Sequence, residues 1–275
     1  MGHDITPAGL HTLSGAWGEL DVHEIGGNVA GWRPGGHERL YRASNAVIGT
    51  DDMWHGGIPV CTHWFGGGRG DWEIPFIHGL VSRVRWVPRE LKVDDAGARV
   101  VLGTDGLATR GLPGADRYPA DLTYDLTVAA DATSLTVELT VGSPSREVTV
   151  EIALHPYLLT DVPNSTVTGL AGVAYDDFAD ASRAVEPGAV ALGGYLDRVY
   201  AAAPRTTLTD GDTGLRLDGV GANSIIVWNP GPVNDQVPGQ EWAQFACVEY
   251  GNVKAGALTI PAGGAHTLRL RLTTL

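Results

Sequence analysis

Apolar and polar residues alternate with a period of two along much of the chain. The alternation is clearest at residues 135–141 and 268–272, where every second position is leucine or valine. Successive side chains of a β-strand point to opposite faces of the sheet, so this pattern is typical of strands with one buried and one wetted face. It predicts a protein built mainly of sheets.

Alternating or β-branched runs of strand length recur through the rest of the sequence. We predict strands at residues 18–25, 80–93, 99–103, 122–129, 134–141, 147–154, 215–217, 224–228, 243–250 and 267–273. Helix signals are scarce, and only residues 176–185 indicate a turn or two of helix. Sheets without crossover helices pair antiparallel, so we predict an all-β, antiparallel β-sandwich of supersandwich size, with residues 1–275 forming one domain.

Composition and charge limit the classes of molecule that the protein is expected to bind. The chain is 43% hydrophobic, which supplies a sizeable core, and its formal net charge is -13. Only two of its basic residues are lysines, Lys92 and Lys254. Nucleic acids and anionic membranes are bound by clustered cations, so we expect neither, and a small ligand fits better.

Two cysteines, Cys61 and Cys247, are too few to staple a chain of this length. We expect them to be free thiols in a reducing cytoplasm. The N-terminal residues show no basic segment followed by an apolar run, and no apolar stretch reaches the roughly 18 residues of a membrane span. These features predict a cytoplasmic protein.

The first candidate for chemistry is Glu249, which lies in an apolar strand. Alternation places it on one face with Phe245 and Cys247, and the other face is equally apolar. An unpaired buried carboxylate is costly, so Glu249 either lines a cavity or pairs with an arginine as a structural residue.

The second candidate is His155, which ends the strand at 147–154 and is followed by Pro156. Proline stops regular strand pairing, so the imidazole can point into a cleft at the strand end. A hydrogen-bonded core histidine explains the same pattern, and both interpretations stay open.

The third candidate is the glycine-rich segment at residues 54–79, which contains His55, His63 and His78 together with Trp64 and Trp72. Aromatic rings beside polar groups suit the C–H faces of sugars, so the segment is typical of a binding loop. An ordinary surface loop is the alternative. The histidine spacing follows no metal motif, and we predict neither a metal nor a cofactor.

Several short motifs in a fixed order resemble the aldose 1-epimerase superfamily, and its glucose-6-phosphate 1-epimerase branch in particular. The resemblance extends from about Trp17 to the C-terminus. The motifs are Gly-Gly-Ile-Pro-Val-Cys (56–61), Trp-Phe-Gly (64–66), His-Gly-Leu (78–80), Leu-His-Pro-Tyr (154–157), Asp-Arg-Val-Tyr (197–200), Val-Trp-Asn-Pro (227–230) and Cys-Val-Glu (247–249).

The resemblance implies a galactose-mutarotase-like β-sandwich and assigns roles. Glu249 corresponds to the general base on the anomeric hydroxyl, and His155 to the general acid on the ring oxygen. His78 matches a second histidine near the ring oxygen, and Asp197 a carboxylate that binds sugar hydroxyls. Trp228 joins the predicted substrate-binding residues. No cofactor is implied.

The sequence departs from the family where members acting on hexose 6-phosphates carry two arginines. These positions hold His55 and Ser82 here. Neither replaces a guanidinium that binds phosphate through two hydrogen bonds. Arg69 is the predicted substitute, because Arg83 and Arg85 are expected to alternate with their neighbours along a strand. Whether the sugar carries a 6-phosphate stays open at this point. If no other cation replaces the two arginines, we expect phosphate to contribute little to binding.

Two other functions fit parts of the pattern. A catalytically silent carbohydrate-binding protein would keep the cleft, yet it has no need of Glu249, His155 and His78 together. A glycoside hydrolase needs two carboxylates flanking one bond, and Asp197 with Glu249 offers such a pair. The two histidines favour ring opening.

Overall fold

The computed structural model describes residues 1–50, 54–211 and 213–275. Their strands, in chain order, are β1 (Gly2–Ile5), β2 (Leu10–Gly15), β3 (Gly18–His23), β4 (Val29–Pro34), β5 (Val60–His63), β6 (Val87–Val93), β7 (Gly97–Asp105), β8 (Thr123–Asp131), β9 (Ser134–Ser143), β10 (Val148–Leu154), β11 (Tyr157–Leu159), β12 (Ser165–Thr168), β13 (Ala174–Asp177), β14 (Ser182–Val185), β15 (Val190–Ala191), β16 (Leu196–Tyr200), β17 (Thr206–Asp210), β18 (Thr213–Val220), β19 (Ser224–Asn229), β20 (Phe245–Asn252), β21 (Leu258–Ile260) and β22 (Gly264–Thr274).

Helical structure in the described residues is short. The α-helix α1 covers Gly106–Thr109, and 3₁₀ turns cover Val81–Arg83, Ala115–Arg117, Val162–Asn164, Glu241–Gln244 and Lys254–Gly256. None of these helices has the length or the apolar character needed to cross a bilayer.

The strands of the described residues form three sheets in which neighbours pair antiparallel. Sheet 1 is the meander β1-β2-β3-β4. Sheet 2 follows the order β14-β13-β16-β19-β20-β10-β21, with β5 added beside β10 and β11 beside β20. Sheet 3 follows the order β15-β12-β17-β18-β22-β9-β8-β7-β6.

One apolar cluster joins sheets 2 and 3. Leu126, Leu139 and Leu270 from sheet 3 are fully buried in it, as are Ile152 and Val227 from sheet 2. Each such side chain contributes about 1.5–3 kcal/mol by leaving water. The antiparallel β-supersandwich predicted from the alternation is therefore confirmed.

The helix predicted at residues 176–185 is wrong, because this segment forms the hairpin of β13 and β14. Asp177 Oδ1 accepts the Ala179 backbone N–H at 3.0 Å, and Ala181 takes a positive φ of 58° to complete the turn. β14 is exposed at the edge of sheet 2. All four residues of β14 are exposed, so this strand has no buried face that would give its sequence an alternation.

The strand predicted at residues 80–93 is only half right. β6 begins at Val87, while Val81–Arg83 forms a buried 3₁₀ turn. The fully buried Trp86 donates its indole N–H to the Val81 carbonyl oxygen at 3.0 Å, so the chain wraps around this ring. The expected alternation of Arg83 and Arg85 with Ser82 along a strand is therefore wrong.

Candidate functional site

One face of sheet 2 collects the predicted polar residues. Asp197 on β16 lies opposite Trp228 on β19, and Trp228 lies opposite Cys247 on β20. Ile226 lies opposite Glu249 in the same pairing. Residues directly opposite in an antiparallel pair share a face, so all five side chains point to the same side.

The other face of β20 packs against sheet 3. Tyr250, next to Glu249, donates its hydroxyl to the Pro204 carbonyl oxygen at 2.7 Å. Its ring lies so close to Gly219 on β18 that a Cβ there would be 2.0 Å from a ring carbon. This packing fixes the strand, and Glu249 faces away from the core between the sheets.

Glu249 points into a partly open cavity of about 270 Å³, near the lower end of small-molecule sites, roughly 300 Å³. A wider cavity of about 370 Å³ beside Arg39, Asp161 and Asp210 contains none of the predicted site residues. The cavity that Glu249 enters is lined by His55, Phe65, Gly66, Gly67, Ile77, His78, His155, Tyr157, Phe178, Tyr195, Asp197, Val199, Ile226, Trp228, Gln236, Glu249 and Lys254.

Glu249 is a buried carboxyl group with unused hydrogen-bonding capacity. Its side chain is 1% exposed, and neither oxygen has a hydrogen-bond partner among the described residues. Oε1 lies 3.4 Å from Nε2 of His155 without forming a hydrogen bond. Burial, with a further contribution from the Asp197 charge, raises the pKa of Glu249 well above its ordinary value. Water or a polar ligand in the cavity can complete the contacts of such a group.

His155 follows the end of β10, where its backbone N–H donates to the Pro59 carbonyl oxygen at 3.1 Å. Its ring stacks on Tyr157 with centroids 4.8 Å apart. Burial and the nearby charge of His78 lower the pKa of His155 well below its ordinary value. Burial therefore favours a neutral imidazole.

His78 is held in a strained backbone conformation with φ 63°. The next residue approaches Thr62 so closely that a Cβ on Gly79 would lie 1.8 Å from the Thr62 carbonyl oxygen. The Gly66 backbone N–H donates to His78 Nδ1 at 3.3 Å, so the neutral ring carries its proton on Nε2. Burial and the charge of Lys254 lower the pKa of His78 to about 3.

The remaining predicted residues in the cavity are Asp197, His55 and Trp228. The Tyr195 hydroxyl donates to Asp197 Oδ2 at 3.4 Å, and burial raises the pKa of Asp197. The Trp228 ring meets His155 edge to face at 6.2 Å. No group of three histidines, cysteines or acidic residues in the described part of the chain is placed to hold a metal ion.

Two predicted binding residues lie elsewhere. Trp64 is 2% exposed and donates its indole N–H to the Phe76 carbonyl oxygen at 2.7 Å, so its ring has no face open to a sugar. Arg69 pairs with Asp71 at 3.1 Å. Both line a separate cavity of about 150 Å³. The sequence showed an aromatic, glycine-rich loop, but it did not show which rings turn inward.

Several cavity residues were missed. Tyr157 stood in the Leu-His-Pro-Tyr motif, and its stacking on His155 gives it a role that the motif alone did not show. Lys254 was visible as one of two lysines in an acidic chain. Phe178 and Tyr195 lie at the cavity in segments with no distinguishing signal.

His63 belongs to the glycine-rich segment but is a buried structural residue. Its Nδ1 donates to the Thr62 carbonyl oxygen at 2.7 Å, and Tyr124 donates its hydroxyl to Nε2 at 2.7 Å. Both nitrogens of the neutral ring are therefore satisfied. Burial lowers the pKa of His63 from 6.5 to about 4.

This environment predicts acid destabilisation. The unfolded chain binds the His63 proton below pH 6.5 and the folded chain only below about 4, so stability is lost as pH falls through that window. The His63 share is about 3 kcal/mol. Denaturant titrations at pH 7 and pH 4.5 should show a smaller acid loss for His63→Gln than for the parent chain. The exposed His37→Gln is the matched control, and an unchanged loss in His63→Gln would contradict the assignment.

The sequence pattern of the aldose 1-epimerase family matches residues 10–273, and the chain belongs to this family. It is an epimerase that acts on a sugar. Proteins of Salmonella typhimurium and Escherichia coli, both provisionally named glucose-6-phosphate 1-epimerases, are 27% and 26% identical to it. Each alignment covers 82% of this chain and 76% of the relative.

Solved structures share the fold. A Salmonella typhimurium protein described provisionally as a mutarotase superposes with a TM-score of 0.86, covering 99% of this chain and 95% of that one at 22% identity. A galactose mutarotase-like protein of Clostridium acetobutylicum gives a TM-score of 0.77, covering 100% and 98% at 14% identity. The architecture is thus the galactose-mutarotase-like supersandwich.

Proposed function

We propose that the cavity interconverts the α and β anomers of a hexose, with Glu249 as general base, His155 as general acid and His78 as a hydrogen-bond donor. The observation that carries the proposal is the Glu249 carboxyl group, which has no hydrogen-bond partner among the described residues and lies 3.4 Å from the His155 imidazole in the cavity. Two proton-transfer groups in contact suit a reaction that moves two protons.

Ring opening removes the proton from O1 and adds one to the ring oxygen. As Glu249 takes the O1 proton, the C1 to O1 double bond forms and the bond from C1 to the ring oxygen breaks. His155 donates its proton to that oxygen. The C1 to C2 bond of the free aldehyde then rotates, and the reverse transfers close the ring on the other face.

The pair carries one proton throughout this cycle. The cyclic sugar requires a Glu249 carboxylate and a protonated His155, while the open aldehyde faces a neutral Glu249 and a neutral His155. Before substrate binds, burial favours the neutral pair. Sugar hydroxyls that donate to Glu249 replace its lost hydration and favour the carboxylate, so substrate binding itself prepares the base.

His78 and Asp197 have complementary roles. A pKa near 3 keeps His78 neutral. Its Nε2–H can therefore donate a hydrogen bond near the ring oxygen, but it does not transfer that proton. Asp197 lies directly opposite Trp228 on the neighbouring strand and accepts hydrogen bonds from sugar hydroxyls. Trp228 and Tyr157 supply apolar surface for the sugar ring.

We propose glucose and glucose 6-phosphate as comparable substrates. At the family's two arginine positions, His55 lines the cavity, whereas Ser82 is buried in the 3₁₀ turn and does not appear among the lining residues described. Lys254 is the single lysine or arginine among those lining residues. Arg69, the substitute predicted from sequence, faces the separate small cavity.

The substrate prediction is tested with kcat/KM for both sugars at low and high salt. We expect values within about tenfold of each other and little salt dependence, because a dianion gains strongly only from charge-assisted donors. A large preference for glucose 6-phosphate that disappears at high salt would contradict this prediction. Lys254 would then be the first group to examine, because it is the single lysine or arginine among the lining residues of the cavity.

The activity is tested by anomer-resolved NMR of glucose, galactose and glucose 6-phosphate. Catalysed exchange between the anomers supports the proposal. Saturable sugar binding without exchange would establish the silent carbohydrate-binding alternative. Release of the aglycone from aryl glycosides would establish the hydrolase alternative, in which Asp197 and Glu249 act as the carboxylate pair.

A further inference from the structure

Lys254 ties together segments of the cavity wall that are far apart in sequence. Its ammonium group donates to the Phe65 carbonyl oxygen at 2.9 Å and to the Gly68 carbonyl oxygen at 2.6 Å. These two carbonyl groups bracket the glycines that line the cavity, Gly66 and Gly67. Glycines have little intrinsic rigidity, so the lysine fixes a loop that would otherwise sample many conformations.

Glu151 secures the same segments from the other side. Its carboxylate accepts the Phe65 backbone N–H at 3.0 Å and the Lys254 backbone N–H at 2.6 Å. Glu151 is 2% exposed and lies on β10, far in sequence from both Phe65 and Lys254. Glu151 and Lys254 together form what we call the clasp.

The loop held by the clasp contacts His78, which in turn contacts His155. Gly66, inside the clasped loop, donates its backbone N–H to His78 Nδ1 at 3.3 Å. The His78 ring in turn meets the His155 ring edge to face at 5.1 Å. Movement of the loop would remove the only contact that selects the Nε2-protonated form of His78 among the hydrogen bonds described.

Backbone strain supports a functional constraint at both ends. His78 and Lys254 adopt positive φ angles of 63° and 54°, which residues with a Cβ rarely take. Such conformations cost about 1–3 kcal/mol each and persist where surrounding contacts impose them. In Lys254 the hydrogen bonds to Glu151, Phe65 and Gly68 are those contacts.

We propose that the Glu151–Lys254 clasp positions His78, holding it as a neutral donor with its proton on Nε2 facing the substrate. The inference rests on the proposed anomerase function for its kinetic consequence, but not for its structural content. Lys254 is therefore a positioning residue, and it acts through the glycine loop.

The charges around His78 act in the same direction. Lys254, His55 and Arg83 each disfavour a protonated His78, and the neighbouring His155 ring adds no negative charge. Removing the Lys254 charge weakens this effect, so the clasp controls both the tautomer and the protonation of His78.

The test uses Lys254→Met, which keeps the apolar stem and removes the charge and donors, with Lys92→Met as the matched control. Lys92 is exposed and pairs only with Glu90 on its own strand among the described contacts. Ring ¹⁵N NMR should show His78 as one Nε2-protonated form in the parent and in Lys92→Met. In Lys254→Met we expect mixed tautomers, an upward shift of the His78 pKa and a roughly tenfold fall in kcat for glucose, the loss of one aligned hydrogen bond.

Glu151→Gln provides a second variant if Lys254→Met does not fold, because an NH2 donor replaces one of the two oxygens that accept the backbone N–H groups of Phe65 and Lys254. An unchanged His78 spectrum in the folded variant would overturn the proposal. So would a rise in KM confined to glucose 6-phosphate with kcat intact, which would make Lys254 a direct substrate contact. A parent chain without anomerase activity would refute the proposed function, while the His78 spectra would still decide the clasp.

Discussion

Glu249→Gln is expected to lower kcat for anomer exchange at least about 10²-fold while leaving the fold intact. The amide matches the carboxyl group in shape but cannot take the O1 proton. Because burial raises the pKa of Glu249, the neutral amide resembles the form already favoured in the empty cavity, and no loss of stability is expected. Anomer-resolved NMR and thermal melts measure the two effects.

The matched control for this substitution is Glu138→Gln. Glu138 pairs with Arg269 on the surface of sheet 3, where an ion pair contributes little. The Glu138→Gln variant should exchange anomers at the rate of the parent chain. Near-normal exchange in Glu249→Gln would show that another group acts as the base, and weakened sugar binding with normal kcat would make Glu249 a binding residue only.

The sequence predicted those parts of the fold and cavity that depend on local pattern. Period-two alternation identified the long strands of sheet 3, because each has one face in the core and one in water. Apolar residues on both faces of β20 showed that Glu249 is buried, and Pro156 placed His155 at a strand end. A strand that is buried on both faces can be recognised from sequence, because adjacent residues along it are apolar.

Contacts between distant segments were not predictable in this way. Lys254 meets the carbonyl groups of Phe65 and Gly68, residues nearly two hundred positions away. Trp64 and Phe65 are adjacent, yet only Phe65 lines the cavity, because the turn after β5 directs the Trp64 ring toward Trp72. Side-chain direction in an irregular loop is set by tertiary packing, and no periodicity reports it.

The two histidines of the proposed reaction have different surroundings. His78 and His155 are both buried and both have lowered pKa values, but only His155 contacts Glu249. A histidine beside a carboxyl group can gain a proton when that group loses one. His78 has cationic neighbours instead, so it stays neutral and can only donate a hydrogen bond.

This difference predicts a graded effect of the matched substitutions His155→Ala and His78→Ala. His155→Ala removes the proton donor and should lower kcat at least about 10²-fold. His78→Ala removes one neutral hydrogen bond and should lower kcat about tenfold. Because burial lowers the pKa of His78 to about 3, its loss should leave the pH profile of kcat between pH 5 and 8 unchanged. Added imidazole should partly restore exchange in His155→Ala and not in His78→Ala.

Thermal melts check that both variants fold, and the reverse order of kcat losses in folded variants would show that the two roles are exchanged.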